Sequence, residues 1–219
     1  MKMFRLLFTF LFVLLIGAPL SAQFSVGVFG VSNQADLSGT APSRLKFQSQ
    51  RALGAGLFTE FSLTDDLKLT FQPMVVPKGS TLGYNVPNEN ETRDSIRVDL
   101  DYFSIPVMVR VVSGNHKTYV TGGFEVGFLR SATAETAGVS GEEDLKPKLA
   151  SVDILANLGF GAMIPIGKPL LMLELRYSQG LVNISDFTPE GDASGLPPQF
   201  KNTGMQFFVG FILPVGKSN

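Results

Sequence analysis

The chain of 219 residues contains no cysteine, and only one histidine, His116. Without cysteine, a chain cannot carry a disulfide framework or thiol chemistry. Charge is scarce as well, at 17% of residues, while the mean hydropathy is positive (+0.21), a poor composition for a water-soluble domain of this size. Beyond the N-terminus no apolar run approaches twenty residues, which excludes a helical inner-membrane protein. The formal net charge of −1 offers no basic excess, so nothing points to a nucleic-acid partner.

What is present begins with an export signal. Lys2 and Arg5 precede residues 6–16, apolar but for Thr9, and then the small-residue segment from Gly17 to Ala22. This reads as a secretory signal peptide over residues 1–22, cleaved after Ala22, followed by one barrel domain over 23–219. Removing the two signal cations takes the formal charge from −1 to −3. Glycine is abundant (23 residues) and the aromatics are nearly all phenylalanine (19), as expected where strands curve tightly and face lipid.

The strongest pattern lies at 169–180, where Leu171, Leu173, Leu175 and Tyr177 alternate with Met172, Glu174, Arg176 and Ser178. Similar period-two segments occupy 24–34, 52–63, 67–78, 95–110, 117–129, 149–166 and 203–215, joined by four long and three short connections. The fold predicted is all-β, an eight-stranded antiparallel up-and-down transmembrane β-barrel with long extracellular loops and short periplasmic turns. Lipid cannot satisfy an open sheet edge, so the first strand must pair with the last. In the fourth segment the apolar residues shift from Ile96, Val98, Leu100 and Tyr102 to Ile105, Val107 and Val109, for which an extra residue near Ser104, a β-bulge, is expected.

Alternation does not by itself say which face is inside. A soluble lipocalin-like barrel would put the apolar face inward, but the polar face here is rich in Gly, Ser and Thr, which would cover a water-exposed wall poorly. With the apolar face outward, the lumen is expected to hold Lys68, Arg97, Arg110 and Arg176 against Glu60, Asp99, Asp101, Glu125, Asp153 and Glu174. An eight-stranded barrel is just wide enough for side chains to fill, so this network is expected to plug it, with a small pore as the alternative. Tyr102 and Tyr177 fall on the apolar face near the long connections, where an aromatic girdle would lie. Leu173→Arg is accordingly expected to harm assembly more than Glu174→Gln.

No constellation of catalytic chemistry emerges. His116 sits in a short turn, far from an outer-leaflet active site. The stretch from Gly161 to Lys168 superficially resembles a phosphate loop, but it has five residues between its glycines and Pro169 where Ser or Thr is required. The acidic run Glu142, Glu143 and Asp144 lacks the one-apart spacing of a calcium loop and reads as a solvated loop. No catalytic, cofactor-binding or metal-binding residue is therefore assigned. The partners expected are outer-membrane lipid and lipopolysaccharide, and other outer-membrane or secretion proteins through the loops.

The segment LDYFSIPVMVR at 100–110 resembles the Tyr-x-x-Ile-Pro strand of the PorT-like outer-membrane β-barrel family common in the Bacteroidota. FQPMVVPKGS at 71–80, DILANLGFGAMIPIG at 153–167 and LELRYSQGLVNI at 173–184 are similar to further strands of that family. The resemblance implies an eight-stranded barrel in the outer membrane of a Gram-negative bacterium, without catalytic residues to carry over. It makes a structural, adhesive or accessory assembly role the first expectation. One branch of the family is similar to accessory components of type IX secretion, which is the alternative; a small pore or an outer-leaflet lipid-active enzyme is the second.

Overall fold

The computed structural model describes residues 24–39, 45–84, 95–114, 117–138, 141–185 and 200–215. The signal segment and His116 lie outside the described residues. Eleven strands are present among them: β1 (Phe24–Gly39), β2 (Leu45–Gln48), β3 (Gln50–Ser62), β4 (Leu67–Phe71), β5 (Met74–Tyr84), β6 (Ser95–Val112), β7 (Thr118–Thr136), β8 (Glu142–Asp144), β9 (Val152–Pro165), β10 (Leu170–Gly180) and β11 (Phe200–Val215).

These form a closed antiparallel ring of eight wall strands. β4 and β5 make one wall strand, interrupted at Gln72 and Pro73, where the proline lacks the N–H a ladder needs. β2 continues β3 past Ser49, and β8 lies outside the ring, paired with the end of β7. The ring runs β1, β3, β4/β5, β6, β7, β9, β10, β11, and closes through an unbroken register from Phe24↔Val215 to Gly39↔Phe200. Closure leaves no open edge in the wall.

The apolar face points outward. Leu53 is 80% exposed and Leu158 69%, with Leu57, Phe124, Phe160, Phe207 and Phe211 also exposed around the belt. An exposed apolar surface of that extent is incompatible with water and is what lipid requires. The soluble lipocalin-like arrangement, with its apolar face inside, is thereby excluded.

Two expectations are corrected along β6. Its burial alternates without interruption, and Val98, Leu100, Tyr102, Ser104, Met108 and Arg110 all face inward. The irregularity is in β7 instead: Asp101 pairs with Ser131 and Tyr102 with Leu129, leaving Arg130 as the extra residue. The apolar residues change phase because the surroundings change. Near the long connections the outer face of β6 meets water, so Arg97 and Asp99 point out while Val98 and Leu100 fill the interior.

Two apolar clusters pack inside the lumen. Phe29, Phe58, Tyr119, Met163, Met172, Phe208 and Ile212 belong to the one toward the short turns. Leu37, Val98, Leu100, Tyr102, Leu129, Ala132 and Ile184 form the other, toward the long connections, with Leu145 and Leu149 packed against it. The connection following β7 is held there by main-chain bonds, Leu145 N–H to Ala132 O and Ala150 N–H to Ile184 O, both 2.9 Å. A barrel closed this completely should resist detergent until boiled. Unboiled samples are expected to run faster than boiled ones on a denaturing gel, and identical mobility would contradict the closed ring.

Candidate functional site

The charged groups of the lumen form two assemblies. In the first, Glu174 of β10 accepts hydrogen bonds from Arg176 Nε at 2.9 Å and from Tyr119 Oη at 2.8 Å. Arg176 Nη2 also bonds Glu174 and donates to Gln72 Oε1. Arg110 Nη2 lies 3.5 Å from Glu174 Oε2, while its Nη1 sits 2.6 Å from Glu60 Oε2. Lys68 approaches Glu60 at 3.4 Å from a partly exposed position near the short turns. Aromatic faces shield the guanidiniums: Arg110 stacks 4.0 Å from the Tyr119 ring centroid and Arg176 4.2 Å from that of Phe208.

The second assembly centres on Lys78 of β5. Its Nζ lies 2.9 Å from Glu125 Oε1 and 3.6 Å from Asp153 Oδ2. Asn157 Nδ2 donates to Glu125 at 3.3 Å, and Asn202 Nδ2 to Asp153 at 2.9 Å. The Tyr102 ring lies 4.8 Å from Lys78 Nζ, and its hydroxyl accepts from Asn202 Nδ2 at 3.4 Å.

Glycine makes room for these side chains. A Cβ on Gly161 would stand 2.4 Å from the Tyr119 ring, so only glycine lets that tyrosine reach Glu174. A cavity of about 10 Å³ bordered by Lys78, Ser178, Asn202 and Gln206 has room for roughly one water.

Of the ten charges expected inside, Glu60, Lys68, Arg110, Glu125, Asp153, Glu174 and Arg176 line the lumen. Arg97, Asp99 and Asp101 do not. Arg97 and Asp99 form an exposed pair at 2.8 Å, and Asp101 accepts from the exposed Ser131 hydroxyl at 3.0 Å. Tyr102 is fully buried in the lumen rather than set in a lipid-facing girdle, whereas Tyr177 is 46% exposed on the outer wall with its hydroxyl on Gln179. Lys78 was missed, although it shares the parity of Lys68, Thr70, Gln72 and Met74; the adjoining Pro77 and Gly79 disguise the strand as a turn. With Lys78 included, the described lumen carries four cations against four carboxylates instead of the four against six expected. The acidic run at 142–144 is a solvated strand, with Glu143 paired to exposed Lys148. Among the described residues no group of three or more His, Cys, Asp and Glu could hold a metal ion.

The family model described as outer membrane protein beta-barrel domain matches residues 19–186. The chain belongs to this family. It is accordingly an outer-membrane β-barrel protein. No curated protein matches the chain. Among solved structures it is similar to Neisserial surface protein A, at 10% identity over 88% of this chain and 97% of that one, TM-score 0.47. Ail, the attachment invasion locus protein of Yersinia pestis, shows 12% identity over 89% and 100%, TM-score 0.45. The outer membrane protease OmpT from Escherichia coli shows 8% over 90% and 99%, TM-score 0.47. At these identities and overlaps none of their roles transfers to this chain.

Proposed function

We propose that this family member is a non-catalytic outer-membrane scaffold that presents its long connections outside the cell for a structural, adhesive or accessory assembly role. The observation that carries the reading is the filled lumen: among the described residues, four cations and four carboxylates and two apolar clusters pack its interior. A barrel filled in this way presents contact surface chiefly through its lipid belt and its loops. Purified protein in planar bilayers is expected to show no stepwise conductance, and discrete channel steps would overturn the filled-lumen reading. Cross-linking on intact cells should capture envelope neighbours through the long connections. Capture that persists unchanged after residues 85–94 and 186–199 are trimmed would count against a loop-displayed role.

The same reading takes residues 1–22 as a cleaved signal, so that the mature protein starts at Gln23, and takes the source as a Gram-negative cell with a PorT-like barrel in its outer membrane. Lipid and lipopolysaccharide are its surroundings, and neighbouring envelope proteins its partners. Type IX secretion is the second reading, favoured by the similarity of 100–110 to the PorT-like strand. That stretch places Tyr102, Pro106 and Arg110 in the lumen, where barrel packing is sufficient reason for them.

A further inference from the structure

Leu53 of β3 is four-fifths exposed, more than any other large apolar side chain among the described residues. The cause is the smallness of what surrounds it on the outer wall. On the β1 side it is paired with Ser32, and the next outward pair is Gly30 with Ala55. On the β5 side main-chain pairing stops after Ala55↔Val75 and Gly56↔Met74, and Gln50 Nε2 bridges instead to Lys78 O at 3.3 Å and Val98 O at 3.0 Å. There β5 turns Pro77 and Gly79 outward, so only a proline ring rises from the wall before β6 is reached. Gly79 has φ 117°, and a Cβ on it would stand 2.1 Å from Val98 O, so no side chain can fill the hollow.

Charges of opposite sign flank this hollow. The exposed Arg51 is the first outward residue beyond Leu53 on β3, and Asp101 is the first beyond the lipid-facing Phe103 on β6. Both therefore stand at the outer boundary of the lipid belt, at the same depth. β5 runs between them, and two strand spacings set their main chains about 10 Å apart. Neither has a partner of opposite charge among the described residues: Arg97 pairs with Asp99 at 2.8 Å, and Asp101 accepts from the Ser131 hydroxyl at 3.0 Å.

A wall with a cation on one flank, a carboxylate on the other, and a protruding side chain beside a hollow between them is complementary to itself after a half-turn about the membrane normal. We propose that the outer face of β3, β5 and β6 is a two-fold interface between copies of this chain in the membrane. Leu53 of each copy sits over Pro77 of the other, and Arg51 of each pairs with Asp101 of the other. Lipid tails are as apolar as leucine, so apolar contact alone would not hold two barrels together; close approach and polar contacts do. Gly30, Ser32 and Ala55 permit the approach, and the symmetry makes the ion pair twice. The inference goes beyond the display role and rests only on the outward apolar wall.

The chain has no native cysteine, so one introduced thiol per chain reports contact between copies. In isolated outer membranes, a lipid-soluble thiol cross-linker is expected to join Val75→Cys, beside the axis, into a band of two chains. Phe211→Cys, more exposed and three strands away round the wall, should stay a single chain. Arg51→Asp or Asp101→Arg alone should lower the Val75→Cys yield about tenfold, because each sets like charges together twice, and the two combined should restore it. Folding of every variant is read separately from the gel shift of unboiled samples. Where a reversal prevents folding, Arg51→Gln and Asp101→Asn replace it, each with a lowered yield expected. If lipid and not a second copy covers this wall, Val75→Cys links no more than Phe211→Cys, and the proposal is overturned. Yields unmoved by the single changes, or a combined reversal that restores nothing, overturn it equally.

Discussion

Glu174→Gln is expected to lower the unfolding free energy of the barrel by about 3–5 kcal/mol, the range for removing one partner of a buried ion pair. The carboxylate takes hydrogen bonds from Arg176 and Tyr119 and faces Arg110, so neutralising it leaves two buried guanidiniums with a single remaining carboxylate, Glu60. Leu173→Arg, on the lipid face of the same strand, is expected to cost about 2–4 kcal/mol at mid-bilayer and less toward the interface. For folding stability, as distinct from assembly, the contacts Glu174 makes put Glu174→Gln ahead of Leu173→Arg. The chain has no tryptophan to report unfolding, so the check is a urea series followed by the gel shift between folded and unfolded bands. A Glu174→Gln midpoint at or above that of Leu173→Arg would show that the lumen network contributes less than its geometry implies.

Lys78→Met is the second large effect. Its ammonium is the cation between Glu125 and Asp153, at 2.9 and 3.6 Å, and both carboxylates are fully buried. Removing it leaves two buried negative charges facing one another and is expected to cost about 3–5 kcal/mol. Adding Glu125→Gln and Asp153→Asn to Lys78→Met should recover most of that loss, because replacing a buried ionic group as a whole is close to neutral whereas breaking it is not. The same urea series measures both. A triple variant no more stable than Lys78→Met would place the loss in packing against the Tyr102 ring instead.

How far the sequence could be read depends on what lies outside each strand. Along β10 the outer medium is lipid through the charged stretch, so the apolar residues Leu171, Leu173 and Leu175 mark the outer wall directly. Along β6 the outer medium changes from water to lipid, and the apolar residues change face with it. Reading that change as a bulge near Ser104 placed Arg97, Asp99, Asp101 and Tyr102 on the wrong sides. The extra residue belongs to β7, at Arg130, where no alternation was assigned. Lys78 was hidden for a related reason, since proline and glycine on either side usually signal a turn and here mark a strand whose ladder is interrupted.

The sequence by itself determined the eight wall segments, their up-and-down order and the face that meets lipid, because these depend on local periodicity and on connection length. Tertiary structure alone decided which charges meet. Glu174 is two residues from Arg176, but its contacts with Tyr119 and Arg110, and those of Lys78 with Glu125 and Asp153, cross the lumen between strands far apart in the chain. No local pattern encodes those distances. They follow from the stagger with which the ring closes, and the same closure leaves β3 and β5 stitched by side chains where Pro77 and Gly79 interrupt the ladder.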